Sequence, residues 1–219
     1  MTVFDAIHTD WSDARARYGR IASPGRGFEI AKRMLDLAGA LLALLLFSPV
    51  LVFAALWVKF ADGGPVFYRQ WRVGRDGKLF RIWKLRTMRP DAEKNGPQFA
   101  TDRDPRIIRG CGWMRTSHVD ELPQLLNIIR GEMSLVGPRP ERPEFIAELR
   151  RQLPGVDRRL AASPGITGLA QVVNGYTNDL DGMRRKLDLD LRYLEQRSIA
   201  MDLRLILKTF PRFWDRSAC

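Results

Sequence analysis

From Leu37 to Val58 the chain runs uncharged and almost wholly apolar, and no other stretch constrains its fold as strongly. At about 1.5 Å per residue a straight helix over this run would reach roughly 33 Å, enough to cross a hydrocarbon core of about 30 Å. Length alone therefore predicts a transmembrane span. Ser48-Pro49, in the middle of the run, argues otherwise. Pro49 has no N–H for the carbonyl of Leu45 and its ring crowds that carbonyl, while the Ser48 hydroxyl can cover part of the exposed backbone. Arg20, Arg26, Lys32 and Arg33 precede the run, and Lys59, Arg69, Arg72, Arg75 and Lys78 follow it. Neither end is thus preferred for export. The pattern predicts a re-entrant helix hairpin, broken at Ser48-Pro49, that enters and leaves by one face. The competing reading is an ordinary span kinked at its proline.

The chain has 219 residues, enough for one moderate domain with a real core outside the bilayer. A formal net charge of +11 fits anionic lipid, phosphorylated small molecules or nucleic acid, and does not choose among them. Cys111 and Cys219 are too few and too ill-spaced for a disulfide framework or a zinc site, as expected of plain thiols in a reducing compartment. Residues 1–30 read as a polar extension, partly helical around Trp11 to Tyr18, without a signal-peptide pattern. The apolar run is therefore expected to persist as an anchor. Three regions follow: 1–30, the membrane hairpin 31–60, and a water-side domain 61–219.

Within that domain Val66 to Arg72 and Leu79 to Leu85 read as short strands around a hairpin turn, Gly74-Arg75-Asp76-Gly77. Pro90 to Pro105 reads as a loop. Helical patterning returns at Leu122 to Ile129, with Pro123 in a first turn, and at Glu141 to Leu153. The latter puts Phe145, Leu149 and Leu153 on one face beside Arg150 and Arg151, which suits either a membrane-interface helix or an ordinary core helix. Asp181 to Trp214 holds two further amphipathic stretches, with Phe213 and Trp214 suited to the boundary between membrane and water.

Asp120-Glu121-Leu122-Pro123-Gln124 places two adjacent carboxylates just before a helix, where free N–H groups and the helix dipole favour negative charge. Acids in that position are most often caps, so the pair alone assigns no chemistry. Soon afterwards Pro138 and Pro140 fix the backbone around Arg139, which is well placed for a phosphate, although arginines in proline-rich turns commonly serve only the surface.

These motifs stand in a longer ordered series. It runs through Lys32-Arg33-Met34-Leu35-Asp36, Ser48-Pro49, Val66-Phe67-Tyr68-Arg69-Gln70 and Lys84-Leu85-Arg86-Thr87-Met88. It continues through Asp104-Pro105-Arg106-Ile107, Arg115, Asn127, Gly131 to Pro140 and Pro164-Gly165-Ile166-Thr167-Gly168, and closes with Asp190, Tyr193, Ser198 and Asp202. In this the chain resembles the monotopic phosphoglycosyl transferases, also called bacterial sugar transferases, which start glycan assembly on a polyprenyl phosphate carrier.

The resemblance implies an α+β membrane-associated fold with a re-entrant helix hairpin, a small β element and amphipathic interfacial helices around a cytosolic active site. The enzyme would sit at the cytoplasmic face of a bacterial inner membrane. It would use a UDP-sugar and polyprenyl phosphate as substrates, with membrane lipid as its surroundings, no nucleic acid, and a homodimer left open. Asp120 would be the nucleophile and Glu121 its partner, with Mg2+ held by Asp120, Glu121 or both. Arg139 would clamp the phosphoryl group, with Lys84, Arg86 and Arg115 as secondary phosphate contacts. An aspartate at its ordinary pKa of about 3.9 would be ionised at neutral pH and could attack phosphorus without a base. His118 stands where the family carries a small residue, and Asn174 to Asp190 looks individual to this chain. A catalytically inactive membrane scaffold is the rival reading, against which the intact Asp120, Glu121 and Arg139 speak.

Overall fold

The computed structural model describes residues 21, 24–94, 96, 104–174 and 180–209. The polar extension before residue 21, together with Phe213, Trp214 and Cys219, lies outside the described residues, as does part of the loop expected over Pro90 to Pro105.

The apolar run forms the middle of one long helix, α1 (Arg26–Asp62). It ends at Gly63, whose φ of 68° lets its N–H reach back to the Lys59 carbonyl at 2.9 Å. The helix continues through Ser48-Pro49, and the proline acts by removing one rung of the ladder rather than by ending the helix. The Leu45 carbonyl that Pro49 leaves bare accepts the Ser48 hydroxyl at 2.9 Å. Asp36, Ala40, Ala54 and Val58 are buried on one side, while Leu41, Leu42, Leu45, Leu46, Phe53 and Leu56 are all more than half exposed. An apolar surface this continuous requires an apolar surrounding.

Both arms of α1 dock on the same body. Ala40, with Ala43 and Leu44, packs on Phe80, Ile82, Leu125 and Ile128. Ala54 and Val58, with Leu51 and Ala55, pack on Leu85, Ile108, Cys111 and Met114. Polar contacts fix the two ends. Arg33 donates to the carbonyls of Ile128 and Ile129 at 2.6 and 2.9 Å, and Trp57 Nε1 donates to the Gly110 carbonyl at 2.9 Å.

After α1 come β1 (Phe67–Val73) and β2 (Leu79–Leu85), an antiparallel hairpin in which Arg69 faces Trp83 and Trp71 faces Arg81. Its turn, Arg75–Gly77, is a single 3-10 turn with Asp76 and Gly77 at positive φ. Next are α2 (Gly112–Thr116), a 3-10 turn Val119–Gln124 and α3 (Leu125–Arg130). The helix expected from Leu122 therefore divides. Pro123 cannot donate into an α ladder, so the regular helix begins only after it, and the two acids ride on the tighter turn.

The rest of the domain comprises β3 (Ser134–Val136), α4 (Pro143–Gln152), a 3-10 turn Val156–Ala161, β4 (Gly165–Thr167), α5 (Leu169–Val173), α6 (Leu180–Gln196) and α7 (Ile199–Thr209). For α4 the structure favours the core reading over the interfacial one. Ile146 is fully buried against Val73 and Leu160, and Leu149 and Leu153 pack with Val156 and Leu187. Arg150 turns to an ion pair with Asp157 at 2.8 Å instead of reaching for a surface. The chain-specific segment after Asn174 is described only from Leu180, where it is the first part of α6.

Several of the motif residues prove to be braces. Asp36 accepts from Ser134 Oγ and the Leu135 N–H, both at 3.0 Å, and Lys32 bridges Asp36 and the wholly buried Asp202. The Tyr193 hydroxyl joins Asp202 to the Val136 carbonyl. Strands β3 and β4 are parallel and so close that a Cβ on Gly165 would overlap the backbone of Gly137 and Thr167. Gly165→Ala is expected to lower the thermal midpoint by roughly 6 °C or more, as backbone overpacking of about 3 kcal/mol implies. Differential scanning fluorimetry in detergent reads this, and an unchanged midpoint would refute the close approach.

Candidate active site

The 3-10 turn buries both acids: Asp120 is 5% exposed and Glu121 8%. Their surroundings differ. Glu121 Oε1 lies 2.7 Å from Lys84 Nζ on β2 and 2.6 Å from Arg139 Nη2, while Oε2 accepts Arg139 Nη1 at 3.2 Å. Such a fork of two parallel guanidinium bonds fixes both partners in orientation. Burial would raise the Glu121 pKa, but the charges of Arg139 and Lys84 outweigh it and hold this carboxyl well below the usual range. Asp120 makes no ion pair among the described residues. Burial pushes its pKa up to about 6, and the Glu121 charge adds to the rise while Lys84, Arg115 and Arg139 oppose it. The ordinary aspartate value assumed from sequence is thus corrected upwards, because the carboxyl lacks water and a direct cation.

The residues expected around the dyad divide. Lys84 and Arg139 touch Glu121, and the charge of Arg115 is felt at Asp120 while its Nη1 lies 3.5 Å from Thr87 Oγ1. Arg86 is employed elsewhere. It is buried, pairs with Asp62 at the end of α1 and donates Nε to the Pro65 carbonyl at 2.6 Å. It therefore fastens the hairpin to α1, and the phosphate contact expected of it is not what this geometry provides. His118 stands beside the dyad with φ 54°, and burial lowers its pKa, so the ring is neutral at pH 7. Ser48 and Pro49 lie in the apolar middle of α1 and take no part in the dyad.

The carrier of Arg139 is held more tightly than its two prolines alone suggest. Four successive carbonyls are taken. Pro138 accepts from the Gly165 N–H at 2.9 Å, Arg139 from Arg159 Nη2 at 2.9 Å, Pro140 from Arg72 Nη1 at 3.0 Å and Glu141 from the Val73 N–H at 3.0 Å. Arg159 is itself locked by Asp190 at 2.8 Å, and Glu141 pairs with Lys186. Burial favours the neutral form of Glu141, yet Lys186 and Arg159 hold its pKa far below the ordinary value. Arg159, Glu141 and Lys186 carry no local sequence signal, since their importance comes from α6 folding back over the turn. Asn127 was visible as a motif residue, but its task emerges only in three dimensions: its amide bonds the Trp83 N–H and the Arg81 carbonyl, tying α3 to the edge of β2.

As to a divalent ion, no group of three or more ligating side chains occurs among the described residues. Both Glu121 oxygens already accept from cations, which leaves Asp120 as the available carboxylate. Magnesium is commonly held by one or two carboxylates plus substrate phosphates, and this donor set fits an ion of that kind, bound together with a diphosphate.

Residues 28–216 match the family described as bacterial sugar transferases. Among curated proteins, the chain is 40% identical over 186 residues to the UDP-N-acetylgalactosamine-undecaprenyl-phosphate N-acetylgalactosaminephosphotransferase of Aeromonas hydrophila, covering 85% of this chain and 44% of that protein. It is 40% identical over 192 residues to the UDP-glucose:undecaprenyl-phosphate glucose-1-phosphate transferase of Caulobacter vibrioides, covering 86% and 71%. It is 38% identical over 191 residues to the galactosyl transferase CpsE of Streptococcus agalactiae, covering 82% and 41%. The chain thus spans less than half the length of two of these three relatives. With a family match over residues 28–216, the chain belongs to the bacterial sugar transferases.

Proposed function

We propose that the chain is the catalytic unit of a membrane enzyme that transfers a phosphosugar from a UDP-sugar to undecaprenyl phosphate, releasing UMP. This would be the first membrane step in building an exopolysaccharide, O-antigen, capsule or glycoconjugate. One observation carries the reading: a buried carboxylate without a direct cation, Asp120, adjoins one that is fully paired, Glu121, below an arginine whose backbone is locked on every side.

Asp120 would attack the phosphorus that bears the sugar. As its Oδ–P bond forms, the P–O bond to UMP breaks and UMP departs, leaving an aspartyl phosphosugar. An oxygen of undecaprenyl phosphate then attacks the same phosphorus, the Oδ–P bond breaks, and the Asp120 carboxylate returns with the polyprenyl diphosphate sugar as product. With a pKa of about 6, Asp120 is mostly ionised at neutral pH and needs no base, while burial leaves it more basic than a solvated aspartate. Glu121 holds Lys84 and Arg139 together as a cationic wall, to which Arg115 adds charge, against the phosphoryl oxygens. Asp120 would hold the magnesium ion together with the substrate diphosphate, and when bound the ion would neutralise the departing phosphate.

The lipid acceptor is matched by the exposed apolar side of α1. Support for entry and exit on one membrane face comes from the docking of both arms of α1 on one body. A straight perpendicular span would draw that body, with its ion pairs, into hydrocarbon. Given positive charge on both flanks, that face is the cytoplasmic one.

The test supplies the purified protein with undecaprenyl phosphate and, one at a time, UDP-glucose, UDP-galactose, UDP-N-acetylgalactosamine and UDP-N-acetylglucosamine, and measures UMP. At least one sugar should give repeated turnover of UMP only when the lipid is present, and no more than one equivalent per enzyme without it. Excess chelator should abolish turnover and added magnesium restore it. Full turnover in chelator would remove the metal from the scheme, and no UMP from any UDP-sugar would favour the inactive scaffold.

A further inference from the structure

The outer face of the β1–β2 hairpin carries alternating aromatic and cationic side chains. The Arg69 guanidinium lies 4.5 Å from the centre of the Trp83 ring, with that of Arg130 at 5.4 Å, and the Arg81 guanidinium lies 4.6 Å from the Trp71 ring. Phe67 packs edge-on against Trp83 with ring centres 5.8 Å apart. Arg69, Arg81 and Arg130 are exposed, as are Phe67 and Trp71. No carboxylate stands within ion-pair distance of any of the three arginines among the described residues. Aromatic rings thus hold three positive charges in place and leave them electrically unanswered, which is a poor arrangement for water alone and a good one for a negatively charged surface.

Position decides which surface. The base of the hairpin is fastened to the carboxyl end of α1 through Arg86 and Asp62. Arg130 closes α3, whose last carbonyls receive Arg33 from the amino-terminal arm of α1. Both points are where charge returns at the margins of the apolar run, that is, where a membrane-inserted helix meets the headgroups. Tryptophan and arginine are favoured at that level, the ring among the glycerol groups and the cation on phosphate. We propose that this face docks on the anionic phospholipid headgroups of the membrane into which α1 inserts, and so sets how the active site sits on the bilayer. The inference rests on α1 being membrane-inserted, and the experiment separates the two.

The intact protein is reconstituted into nanodiscs of phosphatidylcholine alone or of phosphatidylcholine and phosphatidylglycerol at three to one, and exposed to hydroxyl radicals. Peptide mass spectrometry then reads Trp71, Trp83 and, as the insertion control, Phe47 and Phe53 separately. Each arginine near an anionic leaflet should shift docking roughly fivefold. Oxidation of Trp71 and Trp83 should therefore fall at least about fivefold in the anionic discs, and return at high salt. The variant Arg69→Gln/Arg81→Gln/Arg130→Gln should lose the protection while keeping that of Phe47 and Phe53. Equal oxidation of Trp71 and Trp83 in both discs, with Phe47 and Phe53 protected, overturns the docking face and leaves insertion standing. Such a result would make the patch a site for another macromolecule. Loss of protection at Phe47 and Phe53 in both discs overturns the insertion and the docking face together. The comparison of lipids uses the parent protein, so it decides between these outcomes even where the triple variant fails to fold.

Discussion

Asp120→Asn should reduce UMP release by about four to six orders of magnitude, the range seen when a covalent nucleophile is removed from an otherwise intact site. The substitution keeps the shape of the side chain and deletes its charge. Burial raises the folded pKa of Asp120 above the ordinary value. Its protonated form therefore favours the folded state, a contribution fully present below the unfolded pKa and lost as pH rises through about 6, so at neutral pH the charge is carried at a cost. The neutral variant should accordingly melt at the same temperature as the parent or higher, while its activity collapses. Glu121→Gln should behave differently. It leaves Lys84 and Arg139 without their shared anion, so activity and thermal midpoint should fall together. Intact-mass analysis with UDP-sugar and no lipid acceptor should show a phosphosugar adduct on the parent and none on Asp120→Asn. An adduct that survives in Asp120→Asn would place the nucleophile elsewhere.

The parts of this arrangement legible in sequence are those with a local cause. A hairpin turn between alternating strands gave β2 its observed limits and β1 its place within one residue, because side-chain alternation and turn chemistry are properties of a few neighbouring residues. The apolar run, its proline and the Ser48 bond to the Leu45 carbonyl could be anticipated for the same reason. Pairing across long separations was not readable. The sequence shows Asp120 and Glu121 as equals, and only β2 and the proline-flanked turn, arriving from opposite sides, make one of them an ion-pair hub and leave the other without a direct cation. Arg86 and Lys84 look alike in the sequence, two residues apart and of one parity, yet Lys84 on β2 reaches the dyad while Arg86, just past the end of β2, pairs with Asp62 at the end of α1. Helix α4 was ambiguous because an amphipathic stripe has the same period whether protein or lipid covers it. Many of the motif residues outside the dyad, such as Asp36, Asn127, Tyr193 and Asp202, brace the frame that holds the site and do not face it.

The largest structural effect is expected at Ser48 and Pro49. Replacing both with alanine restores the N–H that the Leu45 carbonyl lacks and removes the ring that crowds it, so the ladder of α1 is completed and its roughly 33 Å apolar reach can serve as a true span. Against this stand the contacts that hold the amino-terminal arm to the domain: Arg33 on the carbonyls of Ile128 and Ile129, Asp36 on Ser134 and Leu135, and Lys32 on Asp202. These are hydrogen bonds and ion pairs to groups that would otherwise be left buried and unsatisfied, so flipping the arm is costly even when the helix permits it. Partial redistribution follows, not inversion. In the parent, single reporter cysteines within residues 1–20 and near residue 95 should both be protected from an impermeant reagent in intact cells. In Ser48→Ala/Pro49→Ala the amino-terminal reporter should label in a measurable fraction of molecules while the second stays protected. Adding Arg33→Ala, which releases two of the anchoring bonds and one of the charges that oppose export, should enlarge that fraction. If the parent itself labels at one reporter and not the other, α1 crosses the bilayer, and an active site set beside both of its ends on a single membrane face must be given up.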